Sequence, residues 1–389
     1  MRILTFSSLY PNIEMPHRGV FVENRLRHLI KDTDIESRVV APVPWFPLSK
    51  MFNEEYKRFS QVPEFEERYT IPVFHPRYFH LPKVGMMLQP FLMALAAYPV
   101  VKKIIRNGYD FELIDAHYFY PDGVAAVLLG KWLGKPVVIT ARGTDLNLIP
   151  QYFVPKLLIK YAAMKANALI TVCQALKDVL VEMQVPDNKI MVLRNGVDLK
   201  VFRPPEDREG LRSKMDFNGT TILSVGYLIE RKGHDLIIRA LKYLPGVKLL
   251  IAGDGEERDN LRALMKSEGV EDRVSFLGNI PHENLKDYYG AADILVLASS
   301  REGWANVLLE SMACGTPVVA TNIWGTPEVV SCPEAGVLVA RETKSIADGV
   351  KTLLADYPDR SMTRKHAERF KWNEVSIGQQ ALFGKLVNR

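Results

Sequence analysis

Cysteine is scarce. Cys173, Cys314 and Cys332 are the only three in 389 residues, and their spacing offers neither a metal-ligand pattern nor a disulfide framework. Free thiols suit a reducing compartment, so the expected location is cytoplasmic. Long apolar runs are nearly missing too. The uncharged run from Val84 to Val101 only reaches the length of the shortest membrane spans, roughly 18 residues. Gln89, Pro90 and Pro99 interrupt it, and it reads as a helix buried in a core. The opening MRILTFSSLYPNIE lacks the charged start, apolar centre and cleavage site of a secretory leader and reads as a strand with its loop.

Acid is the other absence, and it is local. The formal charge is a modest +5 and 24% of residues are charged. Yet Arg68 to Tyr109 and Leu146 to Lys177 each carry several Lys or Arg and, past their flanks, no Asp or Glu. Both stretches lie in the amino-terminal half. They suit an acidic acceptor or an anionic membrane at the inner face, and equally a solvated basic surface. Within the second stretch, Tyr152 to Lys165 pairs Lys156 with Lys160 around Leu157, Leu158 and Tyr161. A core-packed helix is the favoured reading there, with a basic helix lying on lipid as the alternative.

What is present is alternation. RILTFS, SRVVAPV, LIDAHY, PVVITAR, ALITVC and IMVLRNG are apolar runs separated by helical or loop segments, and TTILSVG, KLLIAGDG, RVSFLG, DILVLA, PVVAT and VLVA repeat the pattern. This predicts an α/β protein with two Rossmann-like domains. The boundary is expected after NGVD, giving domains 1–198 and 199–371, because LKVFRPPEDREG is loop-like and Pro-rich. The isolated pair Asp32 and Asp34 sits in a polar turn and reads as solvated surface.

The richest stretch is Ser299 to Pro317, SSREGWANVLLESMACGTP. It follows a strand-like run and precedes another, with Gly315 suited to end a helix in the left-handed region and Pro317 to block its continuation. Glu302 falls in the loop before the helix. Glu310 lies four residues beyond Asn306, on the same face, leaning back toward the amino end. The helix's first amides suit a diphosphate, while carboxylates there are better placed to accept hydrogen bonds from sugar hydroxyls.

EGWANVLLESMACGTPVVAT resembles the E-x7-E region of retaining glycosyltransferases of family four, which have the GT-B fold of two Rossmann-like domains facing across a cleft. The resemblance covers nearly the whole chain and is strongest from Thr220 to Val330. It implies that Glu302 contacts the donor sugar and Glu310 the ribose, with Gly303, Trp304, Ala305, Asn306 and Val307 supplying the helix start. The spacing G-x-L-x-x-x-K-G marks Lys232 as the diphosphate lysine. Tyr227 stands where many members have Arg, and Arg231 is the natural substitute. YPNIEMPHRGVF is similar to the family's first loop, so Gly19 would let the backbone approach the diphosphate. DAHYFYPDG is similar to the segment whose His meets the donor sugar, which assigns His117. Gly143 and Asp145 match a turn on the acceptor side, with Arg142 where many members have His. Backbone groups near Leu277 to Ile280 would meet the base, and a final helix, 372–389, would return to the first domain.

The implied function is a hexosyltransferase-type enzyme. It would move a sugar from a nucleoside-diphosphate sugar, UDP or GDP, to a glycan or lipid-linked acceptor, with retention and without a metal. His117, Glu302 and Lys232 are the expected catalytic set. No ligand cluster points to a metal, no other cofactor is expected, and no nucleic-acid partner is indicated. The rival readings are a nucleotide-sugar epimerase of similar fold and a non-catalytic nucleotide-sugar binder.

Overall fold

Apolar runs bounded by loops become parallel strands in both halves of the chain. The computed structural model describes residues 1–47, 54–80 and 85–387. They form two units, Met1–Arg194 with Trp372–Arg389, and Asn195–Lys371.

Along the first unit run β1 (Arg2–Phe6), β2 (Glu36–Val40), β3 (Val43–Trp45), β4 (Phe65–Arg68), β5 (Ile71–Phe74), β6 (Arg77–Phe79), β7 (Leu113–His117), β8 (Val137–Ala141), β9 (Ala168–Thr171) and β10 (Ile190–Val192). Eight of them make one sheet in the order β10-β9-β8-β7-β1-β2-β5-β4, and β3 pairs with β6 separately. The sheet is parallel except at its edge, where β4 runs antiparallel to β5. The strands β4 to β6 depart from the alternation seen in the sequence. β4 reads FEER; an edge strand half open to water needs no apolar run. The central strands are buried throughout, as strands covered by helices on both faces must be.

The second unit holds β11 (Thr221–Val225), β12 (Lys248–Ala252), β13 (Val274–Gly278), β14 (Ile294–Leu297), β15 (Val318–Thr321) and β16 (Gly336–Val339). All are parallel, in the order β13-β12-β11-β14-β15-β16. This is the doubly wound arrangement in which the strand order reverses once, here between β11 and β14. In the first unit the reversal falls between β1 and β7.

The division between units falls at Asn195, not after Asp198. The Asn195 side-chain amide donates to Asn306 Oδ1 at 3.3 Å, and Val197 pairs with Lys371. NGVD therefore belongs with the second unit. The last helix, Trp372–Val387, belongs with the first. Trp372 stacks on His28 with ring centroids 5.0 Å apart, and Phe383 is fully buried in a cluster with Val22 and Leu26 of the helix Val20–Asp32.

The uncharged run noted above becomes the helix Gln89–Arg106, while Lys83 and Val84 lie outside the described residues. It is only half a core helix: Met93, Ala94, Ala97 and Val101 are buried, but Leu88, Phe91 and Leu95 face water. Among the described residues no helix is long and apolar enough to cross a membrane.

Candidate functional site

Ligands of doubly wound sheets gather where the strand order reverses, outside the carboxyl ends of the strands. In the second unit that point is supplied by the loops after β11 and β14. The first carries Arg231 and Lys232, the second Glu302. What draws them together is Gly233, whose φ of 69° is left-handed and whose backbone passes so close to β14's exit that an added Cβ would lie 2.2 Å from the Ala298 carbonyl oxygen. Only glycine fits there.

The result is a buried carboxylate held by cations. Lys232 Nζ donates to Glu302 Oε1 at 2.6 Å, Ser299 Oγ donates to the same oxygen at 2.7 Å, and Arg231 Nη1 lies 3.4 Å from it while donating to the Arg301 carbonyl at 2.6 Å. All three converge on Oε1; Oε2 accepts no hydrogen bond among the described residues. Burial would raise the Glu302 pKa, but Lys232 and Arg231, with hydrogen bonds from Lys232 and Ser299, outweigh it and hold the carboxyl below its usual range. Lys232 and Arg231 thus rest on Glu302, and a diphosphate would share them with it. Ser299 carried no distinctive sequence signal; a lone Ser after a strand is ordinary.

Beyond Glu302 the helix Asn306–Ala313 begins at Ala305 without a side-chain cap, so its first amides stay available. Gly303 is buried and Val307 half-buried. The Trp304 indole packs on Phe370 with centroids 5.7 Å apart, and its buried Nε1–H has no partner among the described residues. Glu310 departs from the expectation of an open ribose-binding acid. It is buried, its Oε1 2.8 Å from His282 Nε2 and its Oε2 accepting from the Tyr289 hydroxyl at 2.9 Å. The Glu310 charge, opposed by burial, raises the His282 pKa. Phe202 lies edge-on to both His282 and Tyr289. These partners come from separate loops and helices, and nothing in their sequence spacing pairs them with Glu310.

In the first unit the expected residues also cluster, but inward. Gly19 has φ 71°, and an added Cβ would sit 2.1 Å from the Leu9 carbonyl oxygen. Its own loop, rather than a phosphate, is what requires glycine at that place. His117 ends β7 but is only 1% exposed. Its Nδ1 lies 2.5 Å from Arg142 Nη2, which can only donate, so the ring proton sits on Nε2, 3.2 Å from Asp115 Oδ2. The separation suits a contact, yet the angle is not that of a hydrogen bond. Both ring nitrogens thus face protein groups. Burial, then Arg142, push the His117 pKa down to about 4 against the pull of Asp115, so the ring is neutral near pH 7. Asp115 lies two residues before His117, on the same face of the strand, a spacing that could have flagged it.

Asp145 does not reach toward an acceptor. It is fully buried, and its carboxylate accepts from the backbone amides of Phe119 at 2.9 Å, Arg142 at 3.1 Å and Gly143 at 2.7 Å. It shapes the turn that presents Arg142. Arg142 is itself buried, and burial followed by the charge of Arg25 pushes its pKa well down. Among the described residues no group of three or more His, Cys, Asp or Glu side chains is arranged to hold a metal.

The chain is similar to known proteins along most of its length. The family model for Glycosyltransferase Family 4 matches residues 56–201, and that for Glycosyl transferases group 1 matches residues 207–370. A glycosyltransferase assigned to teichuronic acid biosynthesis in Bacillus subtilis is 27% identical over 90% of this chain and 88% of its own. The N-acetyl-alpha-D-glucosaminyl L-malate synthase of Bacillus anthracis is 26% identical over 73% of this chain and 74% of its own. In fold, sucrose-phosphate synthase from Thermosynechococcus elongatus superposes with a TM-score of 0.78 at 20% identity, covering 99% of both chains. HepE from Anabaena, solved with UDP, gives 0.76 at 22% identity, covering 99% of this chain and 100% of that one. Both are GT-B structures built of two Rossmann-like domains. The chain thus belongs to the glycosyltransferases, as a family-4-like member of GT-B fold that transfers sugars.

Proposed function

We propose that the enzyme is a retaining, metal-independent glycosyltransferase. It takes a sugar from a nucleoside-diphosphate donor and delivers it to a glycan or lipid-linked acceptor of the cell envelope, at the inner face of a membrane. One observation carries this reading: two cations and a carboxylate meet at the exit of β14, directly before an uncapped helix start. Lys232 has three donors and uses one on Glu302, so two remain for phosphate oxygens. As the glycosidic bond breaks, negative charge grows on the departing diphosphate. Fixed donors aimed there lower the barrier, by roughly 3 kcal/mol for one well-placed group. Arg231 adds a second cation, and Glu302 Oε2 faces the hydroxyls of the donor sugar.

Glu310 keeps a ribose role despite its partners, because each carboxylate oxygen has about two acceptor directions and His282 and Tyr289 take one apiece. His117 and Arg142 act as positioning residues. Retention follows a front-face route in which the leaving phosphate helps deprotonate the acceptor. The Anabaena HepE complexes with UDP and UDP-glucose favour a uridine donor over a guanosine one. The name of the Bacillus subtilis relative favours a cell-envelope acceptor.

A panel of UDP- and GDP-sugars, titrated onto the enzyme and followed for slow hydrolysis with and without chelator, tests this. Binding and hydrolysis confined to one donor and indifferent to chelator are expected. Loss of either on chelation, or binding of none of the panel, would overturn it.

A further inference from the structure

The helix Phe153–Lys165 is apolar on two faces. Pro155, Ile159, Ala162 and Ala163 are buried, which spends one face on the core. The other leaves Phe153 75%, Leu157 52% and Met164 47% exposed, with Tyr161 beside them. Two neighbouring helices add to it, one with a stripe and one only at its end. The helix Val124–Leu133 packs against Phe153–Lys165 and against Gln89–Arg106. It exposes Trp132, whose ring meets Tyr98 edge-on at 5.6 Å. On Gln89–Arg106 the exposed Phe91 and Leu95 continue a stripe begun by Leu88, at the i, i+3, i+7 spacing of one helical face. An apolar surface spread over three adjacent helices exceeds the scattered exposure that needs no explanation.

Charge decides what covers it. Every charged side chain on these three helices is a cation, among them Lys102, Lys103, Lys131, Lys156 and Lys160. A second copy pairing through the same face would set cations against cations, since a two-fold interface is self-complementary. A bilayer with anionic headgroups satisfies both features: lysines reach the headgroups while aromatic and aliphatic side chains enter the acyl boundary. We propose that this three-helix face is the surface by which the first unit lies on an anionic membrane. The face deepens the membrane location in the proposed function by naming the residues that would make it. It holds without the donor assignment, because lipid binding needs neither donor nor acceptor.

The test is co-sedimentation of the full chain with phosphatidylcholine vesicles, with and without phosphatidylglycerol, in the absence of nucleotide sugar. Binding to the anionic vesicles about tenfold stronger than to neutral ones is expected. Lys156→Gln with Lys160→Gln should remove most of that preference, and Phe153→Ser with Leu157→Ser should weaken binding about tenfold. Phe153, Lys156 and Leu157 are exposed and Lys160 is half-buried, its ammonium donating to Gln184, so circular dichroism and nucleotide-sugar binding should stay unchanged, which separates a lost surface from a lost fold. Equal binding to both vesicle types, undiminished binding by the Ser variants, or a concentration-dependent dimer abolished by them would overturn the assignment.

Discussion

At the scale of single residues, Glu302 sets the electrostatics of the site. Its side chain is 11% exposed, and Lys232 at 2.6 Å, with Arg231, offsets the burial that would raise its pKa. Removing Lys232 leaves Glu302 only the more distant Arg231 and the Ser299 hydroxyl, at a cost of up to about 3 kcal/mol. Lys232→Ala should therefore lower stability to urea by about that much, and adding Glu302→Gln should recover most of it. Strictly additive losses would mean the two side chains do not depend on each other. His117 gives a pH signature. Its pKa in the folded protein is about 4, below the ordinary 6.5 or so of the unfolded chain. Between those values the unfolded chain binds a proton that the folded one refuses, so stability from this group falls as pH drops from about 6.5 to about 4. The stability of wild type relative to His117→Asn should decline over that window by up to about 3 kcal/mol. A flat difference would place the ring in water rather than in the Asp115–Arg142 cluster.

At the scale of elements, the strand–helix–strand unit around Glu302 was the most legible part of the chain. The helix Asn306–Ala313 ends as its residues imply, with Gly315 at φ 80° and the Gly315 and Thr316 amides closing on Met312 and Ser311. The strands of the first unit's edge were not legible. β4, FEER, is held by pairing with β5 and buries no apolar face, and β5 is only four residues long with Pro72 inside it. The inward turn of Glu310 was hidden because His282 and Tyr289 are distant in sequence, and that of His117 because Arg142 is, although Asp115 lies only two residues away. The final helix was expected to return to the first unit, and its packing shows what holds it. Arg25 Nε donates to Gln379 Oε1 at 2.8 Å, Gln379 Nε2 donates to Asp115 Oδ2 at 2.9 Å, and Phe383 closes the core above. Phe383→Ala should cost about 3–5 kcal/mol, the range for deleting a buried phenyl ring. A loss under 1 kcal/mol in thermal or urea unfolding would mean this helix is peripheral to the unit's stability.

At the scale of the whole molecule, one layout appears twice: a doubly wound sheet whose strand order reverses once, with polar side chains gathered near the reversal. In the first unit those side chains face one another, Asp115 Oδ2 accepting from Gln379 and His117 Nδ1 from Arg142, while the buried Asp115 Oδ1 and His117 Nε2 find no hydrogen-bond partner among the described residues. In the second the lysine retains donors beyond its carboxylate and the adjoining helix start is uncapped. Under the proposed function, that difference assigns the donor to the second unit. Titration calorimetry of UDP and of UDP-glucose against wild type, Lys232→Ala and the Lys232→Ala/Glu302→Gln double variant tests this most directly. Affinity should fall at least about tenfold in both variants, the loss of a charge-assisted phosphate contact, and should stay low in the double variant even where its stability recovers. Unchanged affinity in both would contradict a diphosphate held by Lys232.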